Sequence, residues 1–361
     1  MPFSLAAMSA GIDVNTGIDI HTGGAVGDAI LRVADLRVDF GGRAALSEVT
    51  FELFAGETLG LVGESGSGKS TLARAILRLV PASQGSVVWR GRDLLACAPA
   101  ALRVLRRDLQ IVFQDPLASL NPRMTVGETI SEPLRIFEPD LNARARRDRV
   151  AVMLERVGLA ADVIGRYPHE FSGGQCQRIG IARAMILGPK LLICDEPVSS
   201  LDLSIQGQIV NLLLDLQGDV GTAMLFISHN LAVVRHLSHR VLVMYSGRLV
   251  EIAPRDALFA SPLHPYTRAL LAAVPAAPAR GGAAPPPRAP PVGEPSVRAA
   301  PADPDAPLPA PQSGCAFRDR CTYAVAVCQT TVPPLEETAA GHWTACHRAL
   351  EFTAWPLQSG D

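Results

Sequence analysis

The sequence predicts an α/β fold built on a mixed, mostly parallel sheet with helices on both faces. Three observations lead there. A phosphate-binding pattern, Gly63-Glu64-Ser65-Gly66-Ser67-Gly68-Lys69-Ser70, stands between an apolar strand and an apolar helical repeat. Short apolar runs at residues 109–113, 191–194 and 224–227 read as strands, the latter two buried on both faces. Helical patterns alternate with these runs, which argues for parallel order.

Taken in order, residues 1–29 are rich in Gly, Ala, Asp and Thr without a sustained period and read as a flexible lead-in. Leu31, Val33, Leu36, Val38 and Phe40 mark one strand or hairpin arm. Residues 49–54 form a second strand, and 58–62 a third that runs into the glycine-rich loop. Leu72, Ala73, Ala75, Ile76 and Leu79 then follow helical spacing. The strand at 109–113 stops at Gln114, and residues 127–158 read as helical, with an Arg-rich amphipathic stretch over 142–157. Phe171-Ser172-Gly173-Gly174-Gln175 opens another helical segment, with Ser172 a residue type suited to an N-cap. The run 191–194 ends in Asp195-Glu196, and 224–227 ends in Ser228-His229. Pro and Ala dominate residues 275–312, which are too rich in Pro for a helix or internal strand and read as a semi-extended linker.

Composition bounds the function. A chain of 361 residues with 48% hydrophobic content holds one large domain and a smaller one. Its net charge of -2, without a basic stripe, argues against nucleic acid as a partner. No uninterrupted apolar window reaches the ~18 residues of a membrane-spanning helix. Residues 1–10 also lack the basic flank and apolar core of a signal peptide, so a cytoplasmic chain that meets a membrane only through partners is expected.

A nucleoside triphosphate presents a crowd of anionic oxygens. Glycines let backbone N–H groups turn toward them at the positive end of a helix. Lys69 adds a compact positive charge, and the Ser70 hydroxyl can ligate magnesium. Only two lysines occur, Lys69 and Lys190, so a chain that otherwise uses arginine keeps an ammonium here. Hydrolysis further needs a second magnesium anchor and a carboxylate that orients water. Asp195 and Glu196 at a strand end supply that pair. The Ser172-Gly173-Gly174-Gln175 turn is either an ordinary capped helix start or a second phosphate-binding helix N-terminus.

The motif order is phosphate loop, Gln114, Ser-Gly-Gly-Gln, Asp195-Glu196, Ser200-Leu201-Asp202, His229, and it resembles that of the ATP-binding-cassette (ABC) ATPases. The stretch from Gln114-Asp115-Pro116 to Gly127, and His264-Pro265-Tyr266-Thr267-Arg268, are similar to segments of the di- and oligopeptide importer subfamily. The resemblance implies a P-loop NTPase cassette over residues 30–274 with an antiparallel β subdomain and a helical subdomain at about 115–187. A small cysteine-bearing extension over 313–361 would follow. ATP would lie on Gly63, Ser65, Gly66, Gly68, Lys69, Ser70 and Thr71, with Mg2+ on Ser70, Gln114 and Asp195. Glu196 would orient or deprotonate water, and His229 would sense the γ-phosphate. Ser172, Gly173, Gly174 and Gln175 would complete the ATP site of an opposing subunit, with Asp202 coupling the two sites. Phe40 would stack on adenine, although a Phe at a strand end is also an ordinary core residue. The implied partners are a second, paralogous ATPase subunit, two transmembrane permease subunits and an external peptide-binding protein, at the cytoplasmic face of the inner membrane. Two departures, Cys176 after the signature Gln and Asn230 after the His, remove no reacting group.

Three of the seven cysteines, Cys97, Cys176 and Cys194, are scattered and read as free thiols or small core residues. Cys315, Cys321, Cys328 and Cys346 cluster, separated by five, six and seventeen residues. In a reducing compartment four close thiols suggest a metal or cluster site rather than disulfides. The spacing matches neither a zinc knuckle nor a common ferredoxin run. The subfamily resemblance implies a [4Fe-4S] cluster. Zinc is the alternative, with His342 or His347 as a substitute ligand.

Overall fold

The computed structural model describes residues 29–273 and 313–352. The expected lead-in, apart from Ala29, and the Pro/Ala linker lie outside the described residues. Twelve strands form two sheets among these residues. The first sheet joins β1 (Ala29–Phe40), β2 (Arg43–Phe54), β4 (Gln84–Trp89) and β5 (Arg92–Asp93) in the order β2-β1-β4-β5, all antiparallel. The second contains β3 (Thr58–Val62), β6 (Leu109–Val112), β7 (Leu191–Asp195), β8 (Ala223–Ile227), β9 (Arg240–Tyr245), β10 (Arg248–Pro254), β11 (Glu336–Ala339) and β12 (His342–Thr344). Its order is β11-β12-β10-β9-β3-β8-β7-β6.

The pairs linking β9, β3, β8, β7 and β6 are parallel. Every residue of β3, β7 and β8 is buried, which is why these strands read as unbroken apolar runs rather than alternations. In the antiparallel sheet Val33 lies opposite Phe51 and Val87, and these side chains share one core with the helix Lys69–Ile76. On the other face of the large sheet pack the helices Val126–Phe137, Ala143–Arg156, Gly173–Met185 and Leu203–Val220.

The expected helical stretch 127–158 is therefore two helices. The first ends at Glu138, Pro139 follows with no N–H to give, and Asn142 starts the second by accepting from the Ala145 N–H at 2.9 Å. Cys176 and Cys194 are buried in the core, as small apolar residues would be.

The cysteine-bearing segment does not stand apart from this core. Strand β12 pairs with β10, placing Trp343 opposite Ile252 and Thr344 opposite Glu251, and β11 extends the edge. Trp343 enters the core on one face of the sheet and Phe317 the core on the other. Among the described residues no helix is long and apolar enough to cross a membrane.

Candidate functional site

After Val62 the chain turns through Gly63, Gly66 and Gly68, all with positive φ, before the helix Lys69–Ile76 begins. Glycine is required twice over at Gly63: its φ is 155°, and a Cβ there would lie 2.2 Å from the Met244 carbonyl oxygen. The loop wraps around its own lysine. Lys69 Nζ donates to the carbonyls of Gly63 at 2.9 Å and Glu64 at 2.8 Å. Burial lowers the Lys69 pKa, while Glu196, Asp195 and Glu64 pull it upward.

Next to this cradle, Ser70 Oγ donates to Asp195 Oδ1 at 2.8 Å. Asp195 is 1% exposed, and burial pushes its carboxyl pKa up against the hydrogen bond from Ser70. Such a carboxylate is poised to accept a cation, which would offset the cost of its desolvation. Glu196 adopts φ 48°, a left-handed conformation uncommon for a non-glycine residue, which turns its side chain out of the strand. Its Oε2 lies 3.1 Å from His229 Nδ1 and accepts from Gln114 Nε2 at 3.4 Å. Gln114, Glu196 and His229 line one cleft together with Leu117, Gly173 and Leu201. Lys69, Ser70, Gln114, Asp195, Glu196 and His229 lie at or just past the carboxyl ends of adjacent parallel strands, β3, β6, β7 and β8, the usual location of sites in such sheets.

The remaining expected residues are arranged differently. Ser172 Oγ accepts from the Gln175 N–H at 3.4 Å, and Gln175 Oε1 accepts from the Ser172 N–H at 3.0 Å. Within this chain they form a capping box on their own helix. Among the described residues neither is hydrogen-bonded to the phosphate loop. Asp202 is exposed ahead of the helix Leu203–Val220 with no side-chain cap bond, and the adjoining Leu203 is 81% exposed. Phe40 is 50% exposed, so the core alternative does not apply to it. Ser65 is exposed and Thr71 half-buried in the first helical turn.

One brace of the loop is a residue to which motif reading gave no role. The Glu64 N–H donates to Tyr266 Oη at 2.8 Å. Tyr266 is held by its neighbour: the buried His264 accepts from the Tyr266 N–H through Nδ1 at 3.0 Å, capping the helix Pro265–Ala272. Burial lowers the His264 pKa from 6.5 to about 4. The segment His264-Pro265-Tyr266 was conspicuous in the sequence, but its partner lies 202 residues away.

Cys315, Cys321, Cys328 and Cys346 line a single small cavity, with all four thiols free. Burial raises Cys321 to about 11 and Cys346 to about 12, the neighbouring thiols adding to the effect. The expectation of a preformed metal centre is not met: among the described residues no group of three or more His, Cys, Asp or Glu stands close enough to hold a metal ion. Nor do the substitute ligands present themselves. His342 Nε2 is 2.6 Å from Glu251 Oε1, and His347 Nε2 donates to the Thr331 carbonyl at 2.9 Å.

Comparison with known proteins agrees with the strand-end geometry. Residues 46–199 match the ABC transporter family, and residues 250–328 match the oligopeptide/dipeptide transporter C-terminal region. The chain is 52% identical to the oligopeptide transport ATP-binding protein OppF of Escherichia coli K12, covering 85% of this chain and 92% of that one. It is 56% identical to the glutathione import ATP-binding protein GsiA of the same organism, over 70% of this chain and 42% of that one. A solved dimeric ATP-binding cassette in a post-hydrolysis state, bound to ADP and phosphate, superposes with a TM-score of 0.58 at 27% identity, covering 62% of this chain and 98% of that one. This chain belongs to the ABC transporter ATPases, with the C-terminal region found in oligopeptide and dipeptide transporters.

Proposed function

We propose that this chain is the ATP-hydrolysing subunit of a peptide importer, acting as one half of a nucleotide-binding dimer. The observation that carries the reading is the convergence, at four neighbouring strand ends, of the Ser70–Asp195 pair with the Gln114–Glu196–His229 chain beside the phosphate loop. Ser70, Asp195 and Gln114 would hold Mg2+, which neutralises charge on the β- and γ-phosphates. The loop N–H groups and Lys69 bind and orient the triphosphate, for which Lys69 exchanges its two carbonyl partners for phosphate oxygens. Glu196 positions a water and accepts its proton as the oxygen attacks the γ-phosphorus, releasing ADP and phosphate. His229 fixes the Glu196 carboxylate and reaches toward the γ-phosphate. Ser172, Gly173, Gly174, Gln175 and Asp202 serve the site of the opposing subunit, a paralogue of this chain. Phe40 stacks on adenine.

In this reading residues 30–274 are the catalytic unit, with its helical part at about 115–187, and 313–361 form a transporter-specific extension. Two permease subunits and an external peptide-binding protein complete the assembly at the cytoplasmic face of the inner membrane. The match to a glutathione importer supports a second reading, the same ATPase role for a smaller solute. Replacing Glu196 with Gln tests the core of the proposal: phosphate release is lost while ATP stays bound in a closed dimer. Normal hydrolysis by that variant overturns the assignment. Peptide-stimulated hydrolysis by the reconstituted assembly tests the substrate, and stimulation by glutathione or nickel alone would favour the second reading.

The four C-terminal thiols are read as a [4Fe-4S] site, with zinc as the alternative. Its support is the cavity the four thiols share, in which His347 is engaged by the Thr331 carbonyl. A cluster bound there would tie the segment together through iron–thiolate bonds. Iron and acid-labile sulfide in anaerobically prepared protein test it, and a colourless protein with stoichiometric zinc overturns it.

A further inference from the structure

The phosphate loop carries an acidic residue at its second position, an awkward choice for a loop that must accept a polyanion. Glu64 is also the residue whose carbonyl holds Lys69 and whose N–H reaches Tyr266. Its carboxylate is met from the C-terminal segment. Arg320 Nη1 donates to Glu64 Oε2 and Nη2 to Oε1, both at 2.8 Å, a two-pronged pair between residues 256 apart in sequence. The guanidinium is held from its other sides by the Tyr245 and Phe317 rings, with centroids 5.7 and 5.4 Å away. Arg320 itself sits on a turn between Cys315 and Cys321, its N–H donating to the Phe317 carbonyl at 3.1 Å.

We propose that Arg320 is a positioning residue for nucleotide binding. By neutralising and drawing outward the Glu64 carboxylate, the C-terminal segment keeps that charge from opposing the triphosphate. An ordinary exposed ion pair contributes little to stability. The quantity at stake here is instead the charge of an anion-binding loop, where one uncompensated carboxylate acts directly against the ligand. The inference rests on the ATPase reading above and adds to it that the cysteine-bearing segment reaches the phosphate loop through Arg320.

The test is the equilibrium affinity of the full chain for Mg-ATP, measured by titration calorimetry. Arg320→Met should weaken binding about five- to tenfold. Arg320→Lys keeps the charge but loses the fork, so a loss of about two- to threefold is expected. In the double variant, Glu64→Gln with Arg320→Met, affinity should recover most of what Arg320→Met lost, because the offending charge is gone. A pair that merely tethers the segment is broken in both variants and gives no recovery. Should Arg320→Met fail to fold, Arg320→Gln carries the same expectations. Wild-type affinity in the single variant, or a double variant as weak as the single, overturns the proposal. A wild-type chain that does not bind Mg-ATP would instead overturn the ATPase reading itself.

Discussion

The two halves of the eight-stranded sheet end in different things. The parallel half, β3 with β6, β7 and β8, delivers a lysine, a serine, two carboxylates, a glutamine and a histidine to one line of strand ends. The antiparallel half, β10 with β12 and β11, places the buried Glu251 carboxylate beside His342, with Cys346 just past the end of β12. The first half is assembled from short, mostly apolar strands that can be recognised one by one in the sequence. In the second, β10 pairs with β9, its neighbour in sequence, while the short β11 and β12 reach the sheet from a distant segment. The motif residues converge where buried parallel strands stop together.

The contrast can be tested from its strongest point outward. Replacing Lys69 with Ala should cost about 10³-fold in ATP turnover, roughly 4 kcal/mol, as measured by phosphate release. Denaturant unfolding should show that variant to be folded, since the lysine satisfies only two carbonyls. On the other edge the reverse is expected. Glu251 is fully buried and accepts from the Leu263 N–H at 2.6 Å, the His264 N–H at 3.1 Å and His342 at 2.6 Å. Glu251→Ala should therefore destabilise the protein by about 3 kcal/mol in denaturant titration, by leaving those groups unpaired.

Acid should act through the same edge. His264 binds no proton until about pH 4 in the folded chain, against 6.5 when exposed. Above pH 6.5 its neutral state has no pH-dependent cost, and as pH falls from 6.5 toward 4 the unfolded state gains the proton first. Stability should fall by about 2–3 kcal/mol across that window. His264→Asn, which keeps a capping acceptor, should flatten the decline, as followed by thermal melting against pH. The smallest effect belongs to Phe40: Phe40→Ala should raise the KM for ATP about fivefold, near 1 kcal/mol, with kcat unchanged. An unchanged KM would remove the ring from the site.

The strand-end half is legible in the sequence because its signals are local. A glycine-rich loop, an apolar run ending in two acids and a run ending in Ser-His each announce themselves within eight residues. The first antiparallel hairpin was legible from its alternation. Strands β4, β5, β9, β10, β11 and β12 carry no motif at their ends, and nothing local in the sequence marks them. The break at Glu138-Pro139 was readable from proline but merged into one helical stretch.

The sequence by itself determined the glycine-rich loop, the acid pair and the apolar runs that lead into them, because each depends on residues close along the chain, whereas the order β3-β8-β7-β6 in which those runs pair is tertiary. Only the tertiary structure decided that Tyr266 and Arg320 close around Glu64, that His342 is committed to Glu251, and that the cysteine segment builds the sheet edge. Those contacts join residues some 90 to 256 positions apart. They exist only where the fold brings distant segments together, and no local pattern in a chain encodes which distant group will meet them.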